Sequence, residues 1–598
     1  MELTKKTGQP FVPVEELALK HTLTQKHRLL FGFSDWPTGI LEVASWAKKE
    51  GLAEPSVFFM SKGENDAVEA KKLLRKHLPG LGVQGSRFFL ESGDLNLETK
   101  EAVQTLGVKF LRKLLEFKPD IVGFRLEGNN TDELKTRIAA VRRFSDAAVV
   151  VGGPTPTTFP KEVLEESGAT YVFAGDAEES FNMFLKAYNK GKPESKKLLE
   201  IPGLAFKHAG KTYHNTAKTD GYGQPIGPLD RRHIWPETDT AILNANRPDW
   251  SIVENIEEKV FDVLYVSSSR GCPGDCTFCA HQHGNRFRQK IAKNLMEEIT
   301  ELDGLISQGK LKVQAGNHFK HVDDKLLKDK PVIPLVIYDE DPFVDKGRML
   351  EFFRLWDESP LKERYRLMFQ ANPRSLLKSD AGIDDRPEVD ERLLMYVDKF
   401  KARICLGGES FHDGVLKRWN KRHNVKQLRA VIDAFEKTGQ EYYVYMIMSD
   451  YDMKPDEYID SLRLLASNHL KNDHMRITAN RYAHLVFDSD MRKSLEFTGR
   501  LSEDKITHFS DYRKAHPELM DPFTRKLVED SEALYQVECM PEAKHYLYGL
   551  LFSKMLSDVK KENNRLESDP ASTPLQKQRI ASLKGQIEDI QKELNLTA

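Results

Sequence analysis

Arg270-Gly271-Cys272-Pro273-Gly274-Asp275-Cys276-Thr277-Phe278-Cys279 is the run on which the reading of this 598-residue chain turns. It gathers three of the chain's five cysteines at the spacing C-x-x-x-C-x-x-C. Cubic iron–sulfur clusters take four thiolates, so three leave one iron open to an outside ligand that the cluster can reduce. A structural zinc with His281 or His283 as fourth ligand is an alternative, as are reactive thiols or a disulfide pair plus one. Zinc sites usually set a second ligand pair well downstream, whereas Cys405 and Cys539 stand singly. Cluster chelation by Cys272, Cys276 and Cys279 is the stronger reading.

The bulk numbers remove several classes. The length asks for several domains. A formal charge of −2 gives no basic field for nucleic acid. No apolar run approaches the roughly 18 residues that span a bilayer. The N-terminus has no apolar secretory region, and five cysteines make no disulfide scaffold; a cytoplasmic, reducing setting is expected.

Two β/α series surround the run. In residues 28–186, apolar strands (Arg28–Phe33, Ser56–Met60, Ile121–Phe124, Ala148–Val151, Tyr171–Ala174) alternate with helical stretches, which describes a doubly wound, Rossmann-like parallel sheet. Such sheets bind ligands at the carboxyl ends of their strands. Residues 1–27 are an extension, and 187–260, rich in Lys, Gly and Pro, a linker. A second series over 261–490 (Val263–Ser267, Val332–Tyr338, Arg366–Gln370, Arg403–Leu406, Tyr443–Met448) predicts a partial (β/α) barrel with its site at the C-terminal face. Residues 491–598 turn helical. Their last stripe, Ile580, Leu583, Ile587, Ile590 and Leu594, suits a helix docked on its own chain rather than a dimer zipper.

The first series ends two strands in glycine-rich loops, Gly152-Gly153-Pro154-Thr155 and Gly175-Asp176-Ala177-Glu178, where backbone can approach a flat or phosphorylated ligand. Taken with the cysteine run and its aromatic Phe278, the order of these loops resembles the cobalamin-dependent radical S-adenosylmethionine (SAM) enzymes. The segment Ile201-Pro202-Gly203-Leu204 resembles that group's linker, and the resemblance covers roughly residues 28–490. It implies a cobalamin-binding domain contacted through Gly152, Gly153, Pro154, Thr155, Gly175 and Glu178. One departure stands out. Classical cobalamin domains carry D-x-H-x-x-G and ligate cobalt through the histidine, but here Asp35-Trp36-Pro37 puts proline in its place, as much of the resembled group lacks that histidine. Arg125 and Glu127 would then occupy the space below the corrin; as solvated loop charges they would have no such role.

On the barrel, Gly407-Gly408-Glu409-Ser410 resembles the family's strand-end G-x-E-S. Carried over, Gly407, Glu409 and Ser410 contact SAM, Phe278 and Gln370 flank it, and Arg288 (with Arg286) pairs with its carboxylate or with the corrin edge. Surface cations are the alternative for the arginines. Asp339 and Asp341, in Tyr338-Asp339-Glu340-Asp341-Pro342, include a candidate proton acceptor, a helix N-cap being the other role. Glu409, Asp339 and Asp341 are the catalytic candidates. Tyr442, Tyr443 and Tyr445 with Met446 and Met448 read chiefly as packing, the alternative being a tyrosine that faces the site and quenches or relays a radical.

The resemblance implies three cofactors: a [4Fe-4S] cluster, SAM and cobalamin. It implies methyl transfer through the cobalamin to an unactivated carbon of a small-molecule or peptide substrate. A low-potential donor such as flavodoxin or ferredoxin would supply electrons, and a monomer without nucleic acid or membrane span is expected. Rearrangement or ring closure without methyl transfer, and polar transfer to a nucleophilic carbon, are the other reactions the pattern allows.

Overall fold

Apolar runs without alternation become strands buried on both faces, and two parallel sheets result. The computed structural model describes residues 26–596 apart from 61–66, 78–87, 91, 93, 129–130, 189–194, 216–235, 280–282, 315–331, 379–386, 440, 485–488, 502–514 and 531–543. The extension 1–25, His281 and Cys539 therefore lie outside the described residues.

The first sheet comprises β1 (His27–Phe33), β2 (Ala53–Phe59), β3 (Ile121–Arg125), β4 (Ala148–Gly152), β5 (Tyr171–Phe173), β6 (Leu204–His208), β7 (Lys211–His214) and β8 (Val253–Glu254), in the order β7-β6-β5-β4-β3-β1-β2-β8. The chain leaves β1 for β2 on one side and reaches β3 on the other, so the order reverses between β1 and β3. That switch point opens a crevice at the strands' carboxyl ends. Leu29, Leu30, Ile121, Val122, Val149 and Val151 are fully buried, each such side chain contributing about 1.5–3 kcal/mol. β6 and β7 add antiparallel to β5, and β8 adds to β2. Three strands within the stretch read as a linker thus extend this sheet on both edges. The helices Leu97–Leu106 and Val108–Phe117 also cover it; Asn96 caps the first by accepting from Thr99 N at 2.9 Å.

The second series adds β9 (Val260–Phe261), β10 (Leu264–Val266), β11 (Ser269–Arg270), β12 (Arg288–Gln289), β13 (Lys312–Val313), β14 (Ile333–Ile337), β15 (Tyr365–Ala371), β16 (Arg403–Glu409), β17 (Tyr442–Ile447) and β18 (Met475–Asn480). β10-β14-β15-β16-β17-β18 form an open parallel barrel in sequence order. β11 and β12 pair antiparallel, so the cysteine run is the tip of a hairpin. Tyr443 and Tyr445 are half-buried, while Tyr442, Met446 and Met448 are buried in the core. Period-2 alternation assigns the first two to the barrel's inner side.

One core runs without a break from one face of the first sheet into the barrel. Trp36 marks the junction: its ring lies 5.4 Å from Trp250, 5.0 Å from Phe261 and 6.4 Å from Tyr265. A separate core fills the sheet's other face. At the C-terminus, helix Pro574–Glu593 buries Ile580, Leu583, Ile587 and Ile590 against helix Lys544–Ser568. The stripe docks on its own chain. Among the described residues no helix is long and apolar enough to cross a membrane.

Candidate cofactor sites at two facing strand ends

The cysteine loop leaves the barrel at β11 and returns at β12. Gly271 turns it at φ 80°, where any Cβ would collide with the Arg286 carbonyl. Gly274 N donates to Cys272 Sγ at 3.3 Å. A Cβ on Gly274 would lie 3.1 Å from Cys272 Sγ and 3.9 Å from Cys276 Sγ, so both sulfurs flank one point of the loop. Cys272 and Cys276 are half-buried and Cys279 exposed. Burial pushes the Cys272 thiol up to about 12 and raises Cys276, the latter opposed by the Lys421 ammonium. A metal displaces such protons on binding.

Among the described residues no three His, Cys, Asp or Glu side chains close around a single point. One zinc needs its donors within about 2.0–2.3 Å of one centre, whereas a cubic cluster takes each thiolate on a different iron. His283, one of the two alternative fourth ligands, points its Nδ1 at Asp176, 3.0 Å away, and the other, His281, lies outside the described residues. Three thiols on one loop are a donor set that fits a cluster.

The loop is fixed to the end of β16. Thr277 N donates to the Trp419 carbonyl at 2.9 Å, and Phe278 packs edge-on against Trp419 at 5.6 Å. Lys421 Nζ lies 5.7 Å over the Phe278 ring and donates to Glu409 Oε1 at 3.0 Å. Burial opposes its charge, but Glu409 and the Cys276 sulfur more than offset this, and the ammonium is held above the usual lysine range. Glu409 has φ 61° at a bulge against β17, the kind of strained backbone found at binding sites. A Cβ on Gly407 would stand 3.1 Å from Glu409 Oε1 and 3.2 Å from Lys421 Nζ, so a side chain at this position would crowd the paired carboxylate and ammonium. Ser410 is buried and turned away: its Oγ lies 3.3 Å from Ser461 Oγ and accepts from His412 N at 3.2 Å. Gln370 ends β15 exposed, in register with Cys405.

The two aspartates divide. Asp339 accepts from Ser268 N at 2.7 Å and from the Ser268 and Ser269 hydroxyls, bracing the entry to β11. Asp341 caps the turn Pro342–Val344, accepting from Phe343 N at 3.2 Å, Asn372 N at 3.2 Å and Ser375 Oγ at 3.0 Å. Burial nonetheless raises its carboxyl to about 7 against those hydrogen bonds. A carboxyl poised there suits proton transfer at neutral pH.

The carboxyl end of the first sheet is built from backbone and small hydroxyls. Gly152 closes β4 opposite Arg125, and Gly153 takes φ 115°, where a Cβ would lie 2.7 Å from the Leu126 carbonyl. Pro154 opens a short helix, and Thr155 Oγ1 donates to the Gly128 carbonyl at 2.9 Å. Thr157 Oγ1 accepts from Gly175 N at 3.0 Å and donates to the Gly153 carbonyl at 2.8 Å, bringing the two glycine loops together. Arg125 and Glu127 pair at 2.8 Å, both partly exposed. Asp35 is exposed, Trp36 and Pro37 buried.

Glu178 and Arg288, both buried, stand elsewhere. Glu178 accepts from Arg270 NH2 at 2.6 Å, and Arg288 NH1 donates to Asp176 at 2.6 Å and to the Thr238 carbonyl at 2.9 Å. These contacts join the two domains. Sequence reading passed over them, and it passed over Lys421 and Thr157, since each matters through partners that only the folded chain supplies.

Comparison with known proteins agrees with this geometry. The B12 binding domain family matches residues 90–185. An uncharacterised methyltransferase of Pyrococcus horikoshii is 27% identical over 196 residues, covering 31% of this chain and 37% of that protein, so the chain spans well under half of that relative's length. The radical S-adenosylmethionine methyltransferase TsrM of Kitasatospora setae, solved with cobalamin and a [4Fe-4S] cluster, superposes with TM-score 0.54 at 13% identity over 82% of this chain and 81% of that one. The cobalamin-dependent S-adenosylmethionine radical enzyme OxsB gives TM-score 0.56 at 14% identity over 95% and 80%. The chain carries a B12-binding domain and has the fold of the cobalamin-dependent radical SAM enzymes.

Proposed function

We propose that this protein is a cobalamin-dependent radical SAM enzyme that moves a methyl group from SAM, by way of cobalamin, to an unactivated carbon of a small-molecule or peptide substrate. The observation that carries the reading is the hairpin tip: three cysteines set at the barrel's C-terminal face and joined directly to the carboxyl end of the matched B12-binding domain. When bound, a reduced cluster with SAM supplies a carbon-based oxidant, and the corrinoid supplies a transferable methyl group.

The chain's own residues then bind, orient and exclude. Cys272, Cys276 and Cys279 hold three irons of a [4Fe-4S] cluster. The ligand of the fourth would lie beside Gly407, where Glu409 would accept from its ammonium and Lys421 would face its carboxylate. Gly152, Gly153, Thr155 and Gly175 line a corrinoid crevice, with Arg125 and Glu127 at its floor in place of a ligating histidine. Asp341 takes up a proton near neutral pH. Electrons come from a low-potential carrier such as a flavodoxin or ferredoxin.

Anaerobic reconstitution with iron, sulfide and cobalamin tests the reading. Radical methyl transfer gives S-adenosylhomocysteine, 5′-deoxyadenosine and methylated product; rearrangement gives no S-adenosylhomocysteine; polar transfer gives no 5′-deoxyadenosine. Material that takes up neither iron nor corrinoid would reject the proposal.

A further inference from the structure

The hairpin that carries the cysteines is unstable by its own chemistry. Arg270 on β11 and Arg288 on β12 stand directly opposite each other in register, and like charges facing across an antiparallel pair repel. Both are buried, at 7% and 1% exposure, where unpaired charge is least tolerable. Their counter-ions come almost wholly from the first domain. Arg270 reaches Glu42 at 2.9 Å, Asp176 at 3.2 Å and Glu178 at 2.6 Å; Arg288 reaches Asp176 at 2.6 Å. Lys290, next along, holds Glu42 at 3.4 Å and Glu298 at 2.8 Å. Thr238 completes the set, its N donating to Asp176 at 3.0 Å and its hydroxyl to Glu178 at 2.6 Å. The carboxylates sit on helix Thr38–Lys49 (Glu42), on the loop after β5 (Asp176) and at the start of helix Glu178–Ala187 (Glu178), 92 to 228 residues away from Arg270 in sequence.

We infer that Glu42, Asp176 and Glu178 are positioning residues for the cluster: docking of the B12-binding domain neutralises the paired arginines and so sets the shape of the loop that holds Cys272, Cys276 and Cys279. Asp176 is adjacent to Gly175, whose N–H is bound within the glycine loops of the same domain. The loop at the mouth of the corrinoid crevice and the base of the cluster loop therefore share one ion network. The inference rests on the proposed cofactors for its role in catalysis, but the geometry it asserts is a property of the protein alone.

The test uses the full chain and the near-isosteric variants Asp176→Asn and Glu178→Gln, each compared with wild type in metal-free and in reconstituted form. In metal-free protein, hydrogen exchange of amides 270–289 is expected to quicken while the barrel strands stay protected. In reconstituted enzyme, iron is expected to leave to a chelator roughly tenfold faster, with an altered paramagnetic resonance spectrum of the reduced cluster. If one variant fails to fold, the other carries the comparison. Unchanged exchange across 270–289 overturns the inference. So does faster exchange accompanied by an unchanged spectrum and chelation rate, since the cysteines would then be indifferent to the network. Wild-type protein that takes up no iron sinks the functional reading instead, and the exchange measurement alone then decides the positioning of the loop.

Discussion

The two strand-end faces do the same kind of work with opposite materials. The first sheet offers glycine backbone and threonine hydroxyls, with the partly exposed Arg125–Glu127 pair beside them. The barrel offers thiols, a buried ammonium paired to a carboxylate and an aspartic acid raised to about 7. Neutral backbone suits a large preformed ligand held by shape. Charge in a confined space suits a small zwitterion and a site where electrons and protons move. The lesson is that the face with the weaker sequence signal also has the weaker electrostatics, so its lesions should be steric where those of the barrel are electronic.

The largest effect is expected from Cys276→Ala, which should reduce iron to background and abolish turnover while leaving bound corrinoid intact; loss of both cofactors would break the division between faces. Gly153→Val should do the converse. Its φ of 115° and the 2.7 Å approach to the Leu126 carbonyl leave no room for a side chain, at a cost of about 1–3 kcal/mol. Corrinoid content should fall, iron should not, and thermal denaturation should register the strain.

The pH dependence of Asp341 sharpens the contrast further. Its carboxyl is raised from the ordinary 3.8 to about 7 by burial, so the fold keeps a proton that the unfolded chain has lost. The associated stability is fully present below about pH 4 and lost as pH rises through about 7. Metal-free wild type should therefore lose a few kcal/mol over that interval relative to Asp341→Asn, measured by urea denaturation at pH 5 and 8. Glu409→Gln should weaken SAM by roughly tenfold to a hundredfold, or about 1.5–3 kcal/mol, read from the paramagnetic resonance shift on titration. Smallest is Arg125→Ala: a solvated pair contributes under about 1 kcal/mol, so stability should hardly change. A severalfold drop in corrinoid affinity would put Arg125 beneath the corrin, and an unchanged affinity would leave it a surface charge.

How much could be read beforehand follows from the same physics. Strands β1, β3, β4 and β5 are buried on both faces and announce themselves as apolar runs, so their ends fell within a residue of expectation. β18 alternates buried Met475 and Ile477 with half-buried or exposed Arg476, Thr478 and Asn480, and β8 is two residues long; neither makes a run. The cysteines were legible because their ligand geometry is local. Asp341 was legible as a candidate, but its raised carboxyl depends on burial that no spacing reveals. The ion network was not legible at all, because Arg270 and Glu42 are brought together across 228 residues.

The unbroken apolar wall at Trp36, Trp250, Phe261 and Tyr265 has a practical corollary. A fragment cut at the boundary near residue 261 would carry a greasy scar where its neighbour had been, and aggregation is the usual fate of such surfaces. The two halves share one core, so neither is expected to fold well without the other.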